Sequence, residues 1–208
     1  DFVELDLSDI NEVEKLFKKR KFDSIFHFAA QAGVRIPLNR WSNYTRDNLV
    51  GFSNILTIAA HNKISDFIYA SSSSVYGNAS NNRFSEYETQ PSPISFYGAT
   101  KLSNEFLARA TSTATGMRTR GLRFFTVYGP WGRPDMVYFK MMTSAISQNP
   151  FPFFGDGNIE RDFTYIDDVV EITCELYSDL QKKENAFYDV VNIGGGKPIS
   201  INQMLSTI

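Results

Sequence analysis

The stretch DFIYASSSSVYG, residues 66–77, opens with a short apolar run and passes directly into four serines. A brief apolar run that ends at turn residues predicts a strand buried on both faces, as in a parallel sheet. Serine is common where a strand gives way to a turn. We therefore expect a buried strand over 66–70 with a polar turn at its carboxyl end.

Strand and helix patterns alternate on both sides of this stretch, which predicts layered α/β structure. The predicted strands end near Leu5 and cover 24–28, 66–70 and 119–125, and the predicted helices begin after Ser8 or Asp9, near Asn48 and at Ser95. Short connections between buried strands favour a Rossmann-like, doubly wound parallel sheet. The fold class is therefore α/β.

The chain changes character after Gly129, where prolines, aromatic residues and glycines become frequent. Such a stretch is typical of a loop-rich region that covers a ligand. We expect residues 1–129 to form a partial dinucleotide-binding domain. Residues 130–208 should form part of a smaller substrate-binding lobe, interleaved with returning elements of the core.

Composition argues against several classes of function. A net charge of −2 over 208 residues gives no sign of nucleic-acid binding, and no apolar run is long enough to cross a membrane. The two histidines, His27 and His61, lack metal-ligand spacing, so no metal site is expected. Cys174 is the one cysteine, which excludes an internal disulfide and fits a reducing compartment. We therefore expect a cytoplasmic protein.

The motif that carries chemistry is Tyr97-Gly98-Ala99-Thr100-Lys101. Residues i and i+4 share one face of a helix, so the Lys101 ammonium can approach the Tyr97 hydroxyl. A nearby positive charge favours phenolate and would make the tyrosine a usable base. This spacing also occurs by chance on helix surfaces, but the serine-ended strand upstream would supply a hydroxyl partner at the sheet edge where ligands bind.

These motifs together resemble the extended short-chain dehydrogenases/reductases that act on nucleotide sugars, also called the NAD-dependent epimerase/dehydratase family. Further segments that match this family are Asp6-Leu7, His27 to Arg35, Asn48 to Gly51, Leu122 to Pro130 and Arg161 to Asp168. The resemblance covers nearly the whole chain.

The resemblance implies NAD as the cofactor and assigns roles residue by residue. Tyr97 would be the general base, Lys101 its pKa modulator and a ribose ligand, and Ser72 the hydroxyl partner. The residues implied in cofactor binding are Asp6, Leu7, Phe28, Ala29, Ala30, Asn48, Tyr97 and Lys101.

The residues after Ser72 narrow the choice within the family. Related dehydratases carry an Asp-Glu pair before Val-Tyr-Gly, and related decarboxylases carry Glu at the second position; this chain has Ser73 and Ser74. Without these carboxylates, the resemblance leaves a reaction in which only a hydride moves, and that reaction is epimerisation. Thr126, with the string that follows it through Met136, is similar to UDP-glucuronate 4-epimerases. The residues implied in substrate binding are Arg35, Ser73, Ser74, Thr126, Arg133, Phe154 and Arg161.

The function implied is NAD-dependent 4-epimerisation of a UDP-sugar, first of all UDP-glucuronate to UDP-galacturonate. A neutral UDP-sugar is the alternative substrate, and an inactive truncated domain that binds nucleotide sugar is the alternative of another class. The Gly-x-x-Gly-x-x-Gly fingerprint of dinucleotide binding is absent. We therefore expect the sequence to be part of a longer protein, which the resemblance implies to be a homodimer.

Overall fold

The structure, a computed structural model, describes residues 1–78, 84–87, 90–151 and 155–207. In chain order its regular elements are α1 (Ile10–Lys19), β1 (Ser24–His27), a 3-10 turn (Leu38–Arg40), α2 (Trp41–Tyr44), a π-helical turn (Thr45–Val50), α3 (Gly51–His61), β2 (Asp66–Ser72), a second 3-10 turn (Ser73–Tyr76), α4 (Phe96–Thr115), β3 (Arg118–Phe124), β4 (Thr126–Tyr128), α5 (Val137–Ser147), β5 (Glu160–Arg161), β6 (Phe163–Tyr165), α6 (Ile166–Leu180), β7 (Tyr188–Ile193), β8 (Ile199–Ser200) and α7 (Ile201–Leu205).

The chain forms two compact units. The first contains residues 1–123 and 175–192, and the second contains 124–174 and 193–208. Each unit is therefore built from two separate parts of the sequence. The predicted division at residue 129 stays a prediction.

The central sheet has the strand order β1-β2-β3-β7. β1 and β2 pair in parallel, with Ser24 opposite Asp66 and His27 opposite Tyr69. Parallel pairing places the carboxyl ends of both strands at one edge of the sheet, the edge where open α/β sheets bind ligands. This sheet confirms the predicted α/β fold with a parallel core.

Helix α1 shows how the sequence builds the layer that covers the sheet. Asp9 caps the helix by accepting a hydrogen bond from the Asn11 backbone N–H (2.9 Å). Val13 and Phe17 lie one turn apart and are both buried in a core cluster that also contains Phe52. The predicted N-cap and the predicted apolar face of this helix are thus both present.

Two predicted boundaries were wrong. Residues 2–5 form no strand, because no ladder of backbone hydrogen bonds holds them there. The helix predicted to begin near Asn48 begins at Trp41, and Asn48 lies inside the π-helical turn. A π turn widens the helix by one residue, and apolar spacing gives no signal for it.

The second unit contains two small sheets. β4 and β6 pair in parallel, while β5 and β8 pair antiparallel. Asp162, between β5 and β6, accepts hydrogen bonds from the backbone N–H groups of Gly195 (2.9 Å) and Gly196 (2.8 Å). The carboxylate therefore ties the glycine-rich turn to this part of the chain. Over the described residues, no helix combines the length and the apolar character that a bilayer crossing requires.

Candidate active site

The serine run forms a tight turn at the end of β2. Ser72, the last residue of the strand, accepts a hydrogen bond on Oγ from the Ser74 backbone N–H (3.1 Å) and caps the 3-10 turn Ser73–Tyr76. Ser72 is buried, whereas Ser73 and Ser74 are half-buried. Three hydroxyls therefore stand at the ligand-binding edge of the sheet.

The first turn of α4 packs directly on this serine turn. Ser95 caps the helix by accepting a hydrogen bond from the Gly98 N–H (3.0 Å). A Cβ added to Gly98 would lie 2.6 Å from the Ser74 carbonyl oxygen, a distance that no ordinary contact allows. Glycine at this position lets the first turn of α4, which carries Tyr97, approach the backbone of the serine turn.

Lys101 is the buried cation of the site, with 1% of its surface exposed. Its Nζ donates to the Ala70 carbonyl oxygen (2.9 Å) and lies 5.9 Å from the centroid of the Tyr97 ring. Burial lowers the pKa of Lys101 to about 8, because the charged form loses hydration. The predicted Tyr97 and Lys101 pair is thus assembled on one face of α4 against the end of β2.

Asn48 is fully buried, and its amide binds protein groups on two sides. Its Nδ2 donates to the Gln31 carbonyl (3.0 Å) and to Thr100 Oγ1 (3.2 Å), and its Oδ1 accepts from the Gln31 N–H (2.7 Å). Thr100 in turn donates to the Tyr97 carbonyl (2.8 Å). Asn48 therefore joins the loop after β1 to the first turn of α4; its predicted direct contact with the cofactor stays a prediction.

The segment after β1 presents backbone at the same sheet edge. Phe28, Ala29 and Ala30 are exposed there. Just beyond them, Tyr44 donates its hydroxyl proton to the Ala32 carbonyl (2.8 Å), which fixes the loop. This arrangement leaves the three predicted cofactor residues accessible to a ligand on a held backbone.

Asp6 and Leu7 lie in a short loop anchored to α3. The Asn54 Nδ2 donates to the carbonyl oxygens of Leu7 and Ser8 (3.0 Å each). The Asp6 carboxylate is exposed and accepts from both the N–H and the hydroxyl of Ser8 (2.8 Å each), which lowers the pKa of Asp6. A carboxylate is thus held at the surface, where the resemblance expects the adenine side of the cofactor.

His27, the last residue of β1, is buried against the Phe52 ring at 5.3 Å between centroids. Burial lowers the pKa of His27 to about 4, with the charge of Lys101 as the second cause. The imidazole is therefore neutral near pH 7, and Lys101 is not opposed by a second buried cation.

The residues predicted to bind substrate are divided between the two units. Arg35 is exposed in the first unit. In the second unit, Thr126 is half-buried at the start of β4 and donates its N–H to the Asp162 carbonyl (3.0 Å), while Arg161 is exposed in β5 and donates to the Glu160 carbonyl (2.9 Å). Phe154 lies outside the described residues.

Arg133, also in the second unit, is paired with a neighbouring carboxylate. Its Nε donates to Asp135 Oδ1 (2.9 Å), and its Nη2 donates to the other carboxylate oxygen. This pairing lowers the pKa of Asp135. Binding of a substrate carboxylate by Arg133 would therefore require the guanidinium to exchange one anion for another.

A buried ion pair beside the site was not singled out from the sequence. Glu105 on α4 accepts from the Arg123 guanidinium on β3 (2.9 and 2.7 Å), and both side chains are almost completely buried. Glu105 also accepts from the Ser71 hydroxyl (2.5 Å). One signal was present: Glu105 follows Lys101 by four residues and so shares its helix face.

Comparison with known proteins identifies the family of this chain. Residues 1–194 match the profile of the family described as "NAD dependent epimerase/dehydratase family". The chain is 39% identical to UDP-glucuronate 4-epimerase 4 of Arabidopsis thaliana over 98% of this chain and 49% of that protein.

Two solved structures are similar over almost all of this chain. The UDP-glucuronic acid 4-epimerase of Bacillus cereus, in complex with UDP-glucuronic acid and NAD, is 37% identical with a TM-score of 0.83, over 99% of this chain and 62% of that one. The UDP-glucose 4-epimerase of Thermotoga maritima, with UDP-glucose, is 28% identical with a TM-score of 0.88, over 99% and 66%. The chain therefore spans about half to two thirds of the length of these relatives.

Proposed function

Because the chain belongs to the NAD dependent epimerase/dehydratase family, we propose that the protein is an NAD-dependent epimerase that inverts C4 of a UDP-sugar through a transient ketone. The observation that carries the proposal is the assembly of Tyr97, Lys101 and the Ser72 turn at the carboxyl edge of a parallel sheet.

The residues at this edge fit a dinucleotide cofactor. Across the described residues, the buried Lys101 ammonium donates to the single protein acceptor Ala70, which leaves N–H donors for ribose hydroxyls. Ala29 and Ala30 are exposed just after β1, the strand that pairs with β2, and Asp6 offers an exposed carboxylate. NAD⁺ held by these residues would supply the hydride acceptor, and because the same hydride would return to the sugar, the cofactor would be regenerated in each cycle.

Tyr97 is the proposed base. As phenolate it takes the proton of the sugar 4-hydroxyl, directly or through Ser72, as the C4 hydrogen departs as hydride. Lys101 favours the phenolate by its charge. The keto sugar then turns over while the UDP stays bound, and Tyr97 returns the proton when hydride is delivered to the opposite face. Arg161 is proposed as a ligand of the diphosphate, which a guanidinium suits well.

For the substrate we propose UDP-glucuronate. Ser73 and Ser74 stand where elimination or decarboxylation would require carboxylates, and hydroxyl donors suit a sugar carboxylate. Once C4 is a ketone, the neighbouring carboxylate can be lost as CO₂. Hydrogen bonds that hold its negative charge, with Thr126 as a further proposed donor, oppose that loss. The likeness to UDP-glucuronate 4-epimerases supports this choice.

A neutral UDP-sugar is the second candidate. The likeness to the Thermotoga maritima UDP-glucose 4-epimerase favours it, and the ion pair of Arg133 with Asp135 reduces the positive charge on offer to a uronate.

Product analysis by proton NMR tests the proposal. The protein encoded by the complete gene is incubated with UDP-glucuronate and catalytic NAD⁺, with Tyr97→Phe as the control. UDP-galacturonate from the wild type alone is the expected result. Turnover of UDP-glucose or UDP-galactose instead would establish the neutral-sugar enzyme. If no UDP-sugar changes, calorimetric titration with UDP decides between an inactive nucleotide-binding protein and one without this ligand.

We also propose a homodimer that pairs through α3 and α4. Phe106 and Leu107 on α4 are exposed, at 63% and 39%. The two helices also form a groove that is lined mostly by small side chains, among them Thr57, Ala60 and Ala114. Light scattering during size-exclusion chromatography should give twice the monomer mass, and Phe106→Glu should reduce it to that of one chain.

A further inference from the structure

Two residues of α4 hold two consecutive residues of β2. Lys101 donates to the Ala70 carbonyl (2.9 Å), and Glu105, one helical turn later, accepts from the Ser71 hydroxyl (2.5 Å). Ser72 is the next residue of the strand. The alignment of Ser72 with α4, and so with Tyr97, is therefore set by side chains immediately before it.

Glu105 is itself fixed from a third element. Arg123 on β3 binds both of its carboxylate oxygens, with 3–4% of either side chain exposed. Bidentate pairing fixes the orientation of a carboxylate as well as its position. The Ser71 hydroxyl therefore donates to a carboxylate whose position is fixed by Arg123, and a shift of β2 would break this hydrogen bond.

The same arginine reaches the far end of the serine turn. Arg123 Nη1 donates to the Tyr76 hydroxyl (2.8 Å), which donates to Asn192 Oδ1 (2.8 Å). Tyr76 is the last residue of the 3-10 turn that Ser72 caps. Ser71 at one end and Tyr76 at the other are therefore both held by the Glu105 and Arg123 pair, with Ser72 between them.

We propose that Glu105 and Arg123 are positioning residues for the epimerase reaction, which act through Ser71 and Tyr76 to hold the Ser72 hydroxyl in register with Tyr97. This inference rests on the proposed function. Lys101 also grips the strand, but in the proposed reaction it serves Tyr97 and the ribose as well. Glu105 has no proposed contact with cofactor or substrate. Its hydrogen bond with Ser71 can therefore hold β2 in place against α4 while Lys101 binds the ribose.

A purely structural ion pair would affect folding but would not favour one kinetic constant over another. A positioning pair should affect kcat, because a small displacement of a reacting group costs rate with little loss of substrate affinity. Misplacement by about 1 Å can cost on the order of a hundredfold in rate.

Ser71→Ala is the sharpest perturbation, since it cuts the link and leaves the buried ion pair intact. Ser112→Ala is the matched control. Ser112 is also a buried serine, it lies near the C-terminal end of α4, and its hydroxyl donates a hydrogen bond to the Phe187 carbonyl (3.1 Å). Both variants are made in the full-length protein, and kcat and KM are measured with the UDP-sugar that the wild type turns over. Urea unfolding measures the stability of each.

We expect Ser71→Ala to lower kcat by about tenfold or more with KM changed less than about threefold, while Ser112→Ala loses some stability but keeps the wild-type kcat. Ser71→Cys, which retains size and a weak donor, should recover part of kcat. If Ser71→Ala does not fold, Ser71→Cys and Ser112→Cys make the same comparison. Equal kcat in the two positions overturns the inference. A wild type that turns over no UDP-sugar refutes the proposed function instead, and the positioning role with it.

Discussion

Replacing Lys101 with methionine should stabilise the protein near neutral pH while removing its activity. Lys101 is 1% exposed, and burial lowers its pKa from 10.5 to about 8. Between these values the unfolded chain binds a proton that the folded chain does not, so wild-type stability rises as pH rises through this window. Methionine fills a similar volume and has no charge to desolvate.

The size of the effect follows from the shift. A shift of about 2.5 pKa units corresponds to about 3 kcal/mol of unfolding free energy well below pH 8, and only about 1 kcal/mol of it remains at pH 9.5. The difference in unfolding free energy between Lys101→Met and wild type should therefore be about 2 kcal/mol larger at pH 7 than at pH 9.5. Loss of the hydrogen bond to Ala70 lowers the variant's stability at both pH values and cancels in this comparison.

Urea unfolding of the NAD-free protein at the two pH values measures this difference directly. Lys15→Met, on the exposed surface of α1, is the control and should show the same difference from wild type at both pH values. A Lys101→Met difference that does not change with pH would refute the idea that the ammonium is held without its hydration.

Three further predictions concern other residues of the site. His27→Gln should reduce the loss of unfolding free energy on acidification from pH 6.5 to about 4, because wild-type His27 resists protonation when folded but takes up a proton when unfolded. At pH 4.5 the variant should have lost about 2 kcal/mol less unfolding free energy than the wild type, relative to neutral pH. Parallel urea profiles for both proteins would contradict this. Gly98→Ala should cost about 1–3 kcal/mol of unfolding free energy and also lower kcat, since the new methyl group would meet the Ser74 carbonyl; a variant with wild-type stability and rate would show that α4 does not need this approach. Thr126→Val should raise KM for UDP-glucuronate or release UDP-pentose with CO₂, as seen by NMR, and an unaltered variant would place the carboxylate elsewhere.

The sequence was most informative where local pattern and chemistry coincide. An apolar run over 66–70 and the Tyr97 and Lys101 spacing predicted a buried parallel strand and a helix that carries a base and a cation, and the structure contains both elements. Both features are local: strand burial follows from a short run of residues, and a shared helix face follows from a separation of four.

The features that sequence reasoning missed depend on contacts between distant residues. Ser71 and Glu105 are separated by 34 positions, and no periodicity relates a strand-end hydroxyl to a carboxylate on the next helix. The hydrogen bonds of the Asn48 amide to Gln31 and Thr100 are another example, since these partners lie 17 and 52 positions away in the sequence. The π-helical turn that carries Asn48 also escaped prediction, since one additional residue in a helical turn leaves the composition unchanged.

In the proposed reaction, hydride leaves C4 of a UDP-sugar and returns to the same carbon while Tyr97 moves the hydroxyl proton. The most direct test is to supply UDP-glucuronate deuterated at C4 to the full-length protein with catalytic NAD⁺ in ordinary water, and to analyse the product by NMR and mass spectrometry. We predict UDP-galacturonate that retains the deuterium at C4. Product with hydrogen from water at C4 would contradict the account, because it would require removal of C4 hydrogen as an exchangeable proton.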